Sequence, residues 1–548
     1  MTQPPKLLVL MLDAASADLI QQWAADGSMP ALGAMMRRGA VAETRSVEAF
    51  YIGATWPSYW TSTGPGTHGL YWLDRLRPGS YRIAHAAPED FARLPTIWDA
   101  VSAAGRRLLV VDVPLMNVNP ALNGVQVVEW RTHDAIFGFG TSPPTLRETI
   151  LNAVGAHPSP VVCDRTHRAP TEYRQLTEQL IRGASLRSKL ARKLLAEHPW
   201  DFATIVFSES HCAGHQLWHY HDPRHPEHEP AVMAEDGDAI RKVYLAIDRA
   251  IGEIVASVDA DATIVVAALH NMSYTAGAAN LLPEVLVRLG VMARLSFEAQ
   301  GPPTSMRDRA VRLARSVYHR IPESVRLPFY QLRHRIARRV LDPSVPIAVD
   351  PGRSRCFTVP TGAIYSAIRL NLRGREPAGV LDADDADAFC RDLSAQLMEL
   401  VEVESGRPVV QRVVRTADVC RGDQLGTLPD LIVEWDLARV SGATTVGQGR
   451  GAILRVRSDR IGVVEVVNDY GRTGDHRTGG ILIAAGPGIT PGRFPTPIAT
   501  IDIAPTFARF LGCTMPAAEG RAVEGFLDPT ANGGTTNETT AVAPAPAG

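Results

Sequence analysis

A chain of 548 residues, 45% hydrophobic and 21% charged, can bury a large core and has an ordinary globular composition, as one large domain with an insertion or as two domains. A formal net charge of −2 gives no argument for nucleic acid or an anionic membrane, and no stretch approaches the roughly twenty apolar residues of a membrane span. The six cysteines, Cys163, Cys212, Cys356, Cys390, Cys420 and Cys513, are scattered without a Cys-x-x-Cys pair, which reads as reduced thiols in a cytoplasmic protein.

In chain order, strand-like runs alternate with amphipathic helices. Leu7–Leu12 is continuously apolar, as expected of a strand buried on both faces of a parallel sheet, and Asp13 falls at its carboxyl end, where open α/β sheets place ligands. Ser16 can cap a helix carrying Leu19, Ile20 and Trp23, and Pro30 opens a second helix that Gly39 closes. In Ala54-Thr55-Trp56-Pro57-Ser58, Pro57 suits the first turn of a helix, which puts Thr55 at the helix start, a good position for a hydroxyl nucleophile. Further strands are expected at Leu108–Val113, Val125–Trp130, Ala203–Phe207 and Thr263–Ala268, with helices over Thr171–Glu197 and Asp236–Val258. This βαβ alternation predicts an α/β fold with a doubly wound, mostly parallel central sheet flanked by helices.

Between about Leu281 and Cys356 the pattern changes. Ten arginines (Arg307, Arg309, Arg312, Arg315, Arg320, Arg326, Arg333, Arg335, Arg338 and Arg339) crowd a segment broken by Pro322 and Pro328, which predicts a helical insertion or cap, its arginines forming a basic solvated face or, alternatively, meeting an anionic substrate near the site mouth. The main sheet is then expected to resume through Ala363–Leu370, Leu431–Glu434, Ile461–Val467 and Ile481–Ala485, with a helix over Asp384–Val401 and a last one after Asp502. The expected organisation is a core in two parts, 1–280 and 361–528, interrupted by a cap over 281–360 and followed by a Thr/Ala/Pro/Asn/Gly tail, 529–548, unlikely by composition to fold.

Three polar clusters adjoin apolar strands. His211 and His215 have the spacing that places two imidazoles on one helical face, a common metal-binding geometry; His270 and Asn271 follow the run Thr263–Ala268; Asp475 and His476 precede Gly480–Ala485. His219, His221, His225 and His228 lie in or beside a Pro- and Glu-rich stretch and read as solvated. Trp56 and Asn271 are the candidate substrate-binding residues.

The order of these pieces resembles the alkaline phosphatase superfamily, in particular its type I phosphodiesterase and nucleotide pyrophosphatase branch. The resemblance is carried by Leu10-Met11-Leu12-Asp13, Met29-Pro30-Ala31-Leu32, Thr55-Trp56-Pro57 and Thr63-Gly64-Pro65-Gly66-Thr67-His68-Gly69. It continues through Ser208-Glu209-Ser210-x3-Gly214-His215, His476-Arg477-x2-Gly480-Ile481-Leu482 and Asp502-Ile503-Ala504-Pro505-Thr506. The resemblance implies an alkaline phosphatase-like fold, Thr55 as nucleophile, and a two-metal phosphoryl-transfer site, usually of zinc. Carried over by position, Asp13, Thr55 and His270 would hold one ion and His211, His215 and His476 the other.

Two departures bear on that site. His211 stands where the family has aspartate, and Leu269 stands where it has a second aspartate. The asparagine that nucleotide pyrophosphatases place after their His-Gly is also not evident, because Leu70-Tyr71-Trp72-Leu73 is apolar there. The expectation is one tightly held divalent metal, zinc by ligand type, with a weaker second site. The expected activity is hydrolysis of a small anionic phosphoester through Thr55. The alternatives are a one-metal enzyme acting on a non-phosphate ester or amide or transferring a group, and a non-catalytic binding relative.

Overall fold

The computed structural model describes residues 5–527 apart from 92–93, 160–167, 226, 229, 275–277, 279, 296–343, 363, 438–451, 469–471 and 488. The ten arginines of the expected cap, Cys163 and the 529–548 tail lie outside the described residues.

The first strand, Lys6–Leu12, is apolar at every position after Lys6, and the structure shows why. Leu8, Leu10 and Leu12 pack into one core while Leu7, Val9 and Met11 pack into another, on the opposite face of the sheet. Its two neighbours, Phe202–Phe207 and Ala262–Ala268, pair with it in parallel. Leu108–Val111 and Gly124–Val128 extend the parallel set beyond Phe202–Phe207. Beyond Ala262–Ala268, Gly480–Ala485 runs antiparallel, and Ala40–Arg45 antiparallel to that. The central sheet is therefore mixed and mostly parallel, as the alternation predicts.

Helices cover both faces. Ala17–Ala25, Pro30–Arg38, Pro170–Glu197, Glu209–His221 and Ala239–Val255 lie on one, and Thr55–Thr61, Ile97–Ala103 and Thr500–Phe510 on the other. Ser16 and Asp238 cap the Ala17–Ala25 and Ala239–Val255 helices by accepting from Leu19 and Arg241 backbone N–H groups. The expected helix over Asp236–Val258 is found as Ala239–Val255, and a separate helix, Pro230–Asp236, ends just before Gly237 with φ +68°.

Three strands expected to continue the main sheet do not belong to it. Tyr365–Leu370 and Leu431–Trp435 form a separate antiparallel sheet with Cys356–Val359 and Val410–Arg415, and Gly462–Asn468 pairs with Ala452–Ser458 in a three-stranded sheet with Val401–Glu402. Ala386–Met398 and Leu281–Arg288 pack on these sheets around a second core, which also takes in Phe50, Tyr51 and Ala54. Of the expected strands, Gly480–Ala485 does rejoin the central sheet, and the short strands Gly492–Arg493 and Ile498–Ala499 join it beside Ala40–Arg45.

This topology positions the site. Five parallel strands end at one edge, so Asp13, Asp112, Glu129, Ser208 and Leu269 follow them there. Gly480–Ala485 runs the other way, so its beginning, with His476 just before it, meets the same edge.

Candidate metal and catalytic site

His211 and His215 lie four residues apart on the Glu209–His221 helix and are both buried. Ser210 Oγ donates to the Asp13 carbonyl (2.7 Å) and Asp13 N donates to the Phe207 carbonyl (2.9 Å), which tie the start of this helix to the end of the first strand. His476 comes from Gly474–Arg477, a short strand paired antiparallel with Asn271–Tyr274. Three imidazoles converge there. His211 Nε2 is 3.0 Å from His215 Nε2 and 3.2 Å from His476 Nε2. Donors held about 2.0–2.1 Å from a tetrahedral zinc sit about 3.3 Å from one another, so the spacing fits such an ion.

The protonation pattern points the same way. His215 Nδ1–H donates to the Gly474 carbonyl (2.8 Å), which leaves its Nε2 as a lone pair facing the cluster. A proton on His211 Nε2 could satisfy only one of its two neighbours, whereas a cation satisfies all three. Burial and then the neighbouring imidazoles hold His211 and His476 well below the usual histidine pKa, in the neutral ligand form.

His270 lies beside this group, its ring centroid 4.5 Å from that of His476. Both its nitrogens are buried without a hydrogen-bond partner, and burial pushes its pKa down to about 4. Buried polar atoms are rarely left unpaired, and a second cation here would account for them. Asp13 Oδ2 is 3.8 Å from His211 Nδ1, and Asp13 Oδ1 accepts from Trp56 Nε1 (3.1 Å). Burial raises the Asp13 pKa to about 7.

The sequence reading missed His133. It follows the Gly124–Val128 strand, is 6% exposed, and sets its ring edge-on to His211 at 4.0 Å between centroids. The signal was its place just past a buried strand, the same place that singled out Asp13.

Thr55 is the first residue of the Thr55–Thr61 helix and is fully buried, with its hydroxyl donating to the Tyr51 carbonyl (2.8 Å). Tyr51 and Ala54 enter the second core while Trp56, Tyr59 and Trp60 enter the central one, so Thr55 sits at the seam between them. Ser58, the nearby alternative hydroxyl, is disqualified by its partner. His68 Nδ1 accepts from Leu70 N (3.0 Å), so its Nε2 carries the proton and donates to Ser58 Oγ (2.9 Å). Burial, with the nearby Arg75 cation, drives the His68 pKa down to about 3, and no base is left to activate Ser58.

The other expected residues are placed as follows. Trp56 faces Asp13 with its indole N–H. Asn271 Oδ1 accepts from Ala17 N (3.0 Å) and Met272 N (2.8 Å), so its oxygen is committed to backbone. Leu269 packs into the core on the Thr55 side of the sheet and brings no oxygen ligand. His219 and His225 are buried, 3% and 2% exposed, which corrects their reading as solvated: Tyr173 and Tyr220 cover His219 with their rings.

The fold resembles that of the alkaline phosphatase PafA, with a TM-score of 0.51 at 12% identity over 96% of this chain and 100% of that one. Phosphonoacetate hydrolase from Sinorhizobium meliloti 1021 in complex with phosphonoformate aligns at 15% identity, covering 92% of this chain and 94% of that one, with a TM-score of 0.47. Murine ectonucleotide pyrophosphatase / phosphodiesterase 5 in complex with AMP aligns at 11% identity over 95% and 97%, with a TM-score of 0.44. No curated protein matches the sequence significantly. Fold and site together define an alkaline phosphatase-like α/β protein. Residues 7–331 match the type I phosphodiesterase / nucleotide pyrophosphatase family, and the chain belongs to that family of phosphoester hydrolases. Superfamily relatives use divalent metals. Among the described residues, no helix is long and apolar enough to cross a membrane.

Proposed function

We propose that this chain is a metal-dependent hydrolase that cleaves a small anionic phosphoester with Thr55 as nucleophile and an altered metal site. The observation that carries the reading is the convergence of the His211, His215 and His476 Nε2 atoms at 3.0 and 3.2 Å beside Asp13. These three would hold one zinc ion tightly, and Asp13, His270 and Thr55 would hold a second more weakly. The set lacks a second carboxylate at Leu269, so less negative charge faces a dication there. A bound divalent ion supplies positive charge to an attacking or leaving oxygen.

The chain's own residues do the rest. Thr55 Oγ gives up its bond to the Tyr51 carbonyl, loses its proton and attacks phosphorus; the P–O bond to the alcohol breaks and the alcohol oxygen takes up a proton. Water then cleaves the phosphothreonine ester and restores the hydroxyl. Trp56 fixes the Asp13 carboxylate through its indole N–H. Buried walls on both sides of Thr55 limit competing water. The five described cysteines are buried free thiols, which supports a reducing, cytoplasmic setting.

Leu269 favours one second reading, a single-ion enzyme acting on a non-phosphate ester. Turnover of an aryl phosphodiester, an aryl phosphomonoester and an aryl carboxylic ester, each with and without chelator, separates the two. The proposal expects chelator-sensitive release of the aryl alcohol from a phosphoester. Turnover of the carboxylic ester alone would replace it with the second reading.

A further inference from the structure

We propose that a cavity in the second core receives the organic group of the phosphoester, so that the substrate class is the phosphate ester of an apolar alcohol. The inference rests on the phosphoester reading of the metal site and specifies what the phosphate is attached to.

The first observation is the chemistry of the cavity. Its volume is about 310 Å³, at the lower end of the roughly 300–1,000 Å³ of ligand pockets. Ile83, Leu282, Ile347, Val359 and Ala367 line it, and all five belong to the second core or pack against it. Pro283 and Pro360 add walls without a backbone N–H. None of the described residues that line it is ionisable. Of its three side-chain hydroxyls, those of Thr358, Thr361 and Ser366, two are committed within the fold. Thr361 Oγ1 donates to the Tyr365 carbonyl (2.9 Å), and Ser366 Oγ accepts from Trp435 Nε1 (3.0 Å). Such a space offers a charged group no counter-ion and suits an apolar one.

The second observation is place. The wall formed by Thr361, Gly362 and Ser366 packs against the turn that presents Thr55. Gly362 lies so close to Ile52 and Trp72 that an added Cβ would come within 2.9 Å of Ile52 Cδ1 and 3.6 Å of Trp72 Cη2. Tyr365, just before Ser366, sets its ring 5.3 Å from that of Tyr51 between centroids, and the Tyr51 carbonyl accepts from the Thr55 hydroxyl. Ile52 and Tyr51 therefore join the cavity wall to the nucleophile through three residues of chain and one hydrogen bond.

The third is the division of polarity between the two places. The imidazole cluster beside Asp13 suits the anionic end of a substrate through a bound cation, whereas the cavity suits only a neutral, apolar end. A phosphate ester of an apolar alcohol has both ends in one molecule, and each methylene moved from water into such walls strengthens binding about fourfold.

The test is alcohol release from methyl, butyl and hexyl phosphate and from the matching dialkyl diesters by the zinc-loaded, full-length chain. Binding of methylphosphonate and hexylphosphonate is followed by calorimetry on the same protein. kcat/KM should rise by up to about fourfold per methylene, mostly through KM, until the cavity is filled, and hexylphosphonate should bind more tightly than methylphosphonate. Ile83→Trp and Ile347→Trp, at partly exposed positions of the lining, should erase the gain from chain length. Ile347→Ala should extend it to longer chains. Melting close to that of the wild-type chain establishes that the variants fold. Equal kcat/KM and equal phosphonate affinity across the chain lengths would overturn the proposal, as would a gain retained in both folded tryptophan variants. Chain-length-dependent phosphonate binding, erased by the tryptophan variants, in a protein that turns over no phosphoester would uphold the cavity while refuting the proposed reaction.

Discussion

Arg187 offers a quantitative test of how the ligand helix is held. Its guanidinium is fully buried; Nη1 donates to Asp112 Oδ2 (2.7 Å), Nε to Glu209 Oε1 (3.1 Å), and the group lies over the Trp130 ring at 5.3 Å. Both carboxylates are fully buried, and Glu209 is the first residue of the helix that carries His211 and His215. Burial alone would raise the Glu209 pKa, but Arg187 and the His157 hydrogen bond outweigh it and lower the value from 4.5 to about 2. A carboxyl whose pKa falls this far on folding contributes about 3 kcal/mol, fully present above pH 4.5 and lost as pH falls towards 2. Arg187→Met keeps most of the side-chain volume and leaves two buried carboxylates without their cation. The expected loss is about 3–5 kcal/mol at pH 7, measured by urea unfolding followed by tryptophan fluorescence. The variant should also lose the wild-type fall in stability between pH 4.5 and 2, because its Glu209 is no longer held at a low pKa. A loss under about 1 kcal/mol, or an unchanged acid profile, would refute this account of the network.

Three further outcomes follow from the site. Thr55→Ala should abolish phosphoester turnover while costing only about 1 kcal/mol in stability, since it removes one hydrogen bond to Tyr51; unchanged turnover would rule Thr55 out. Ser58→Ala should retain turnover, because His68 donates to Ser58 and cannot deprotonate it; a dead variant with normal melting would contradict that. Gly474→Ala should lower both melting temperature and metal affinity: its Cβ would meet the Gly214 carbonyl oxygen at 2.1 Å, and the displaced backbone carries the Gly474 carbonyl that orients His215.

Much of this architecture was legible in the sequence, for a physical reason. A strand buried on both faces must be apolar at every position, so Leu7–Leu12 announced itself, as did the residues just past its end. The i, i+4 spacing of His211 and His215 likewise forecast that they share a face. Sheet membership was not legible. Tyr365–Leu370 and Leu431–Trp435 are buried at every position, as central strands are, and mostly apolar; only long-range pairing tells which sheet they join. His133 escaped notice because Trp130-Arg131-Thr132-His133-Asp134 has the composition of a solvated loop, and its burial depends on bonds from Ser208 and Arg187, about 55 to 75 residues away. His219 and His225 were misread for the same reason: the neighbouring Pro and Glu residues mark a loop, but Tyr173, from another helix, covers His219.

Metal content measured by elemental analysis after exhaustive dialysis, with phosphoester turnover followed on the same samples, tests the central claim most directly. The account predicts about one tightly retained zinc per chain, loss of turnover when a chelator strips it, and recovery when zinc is restored. Retention of no metal, or turnover that persists in the stripped protein, would contradict it.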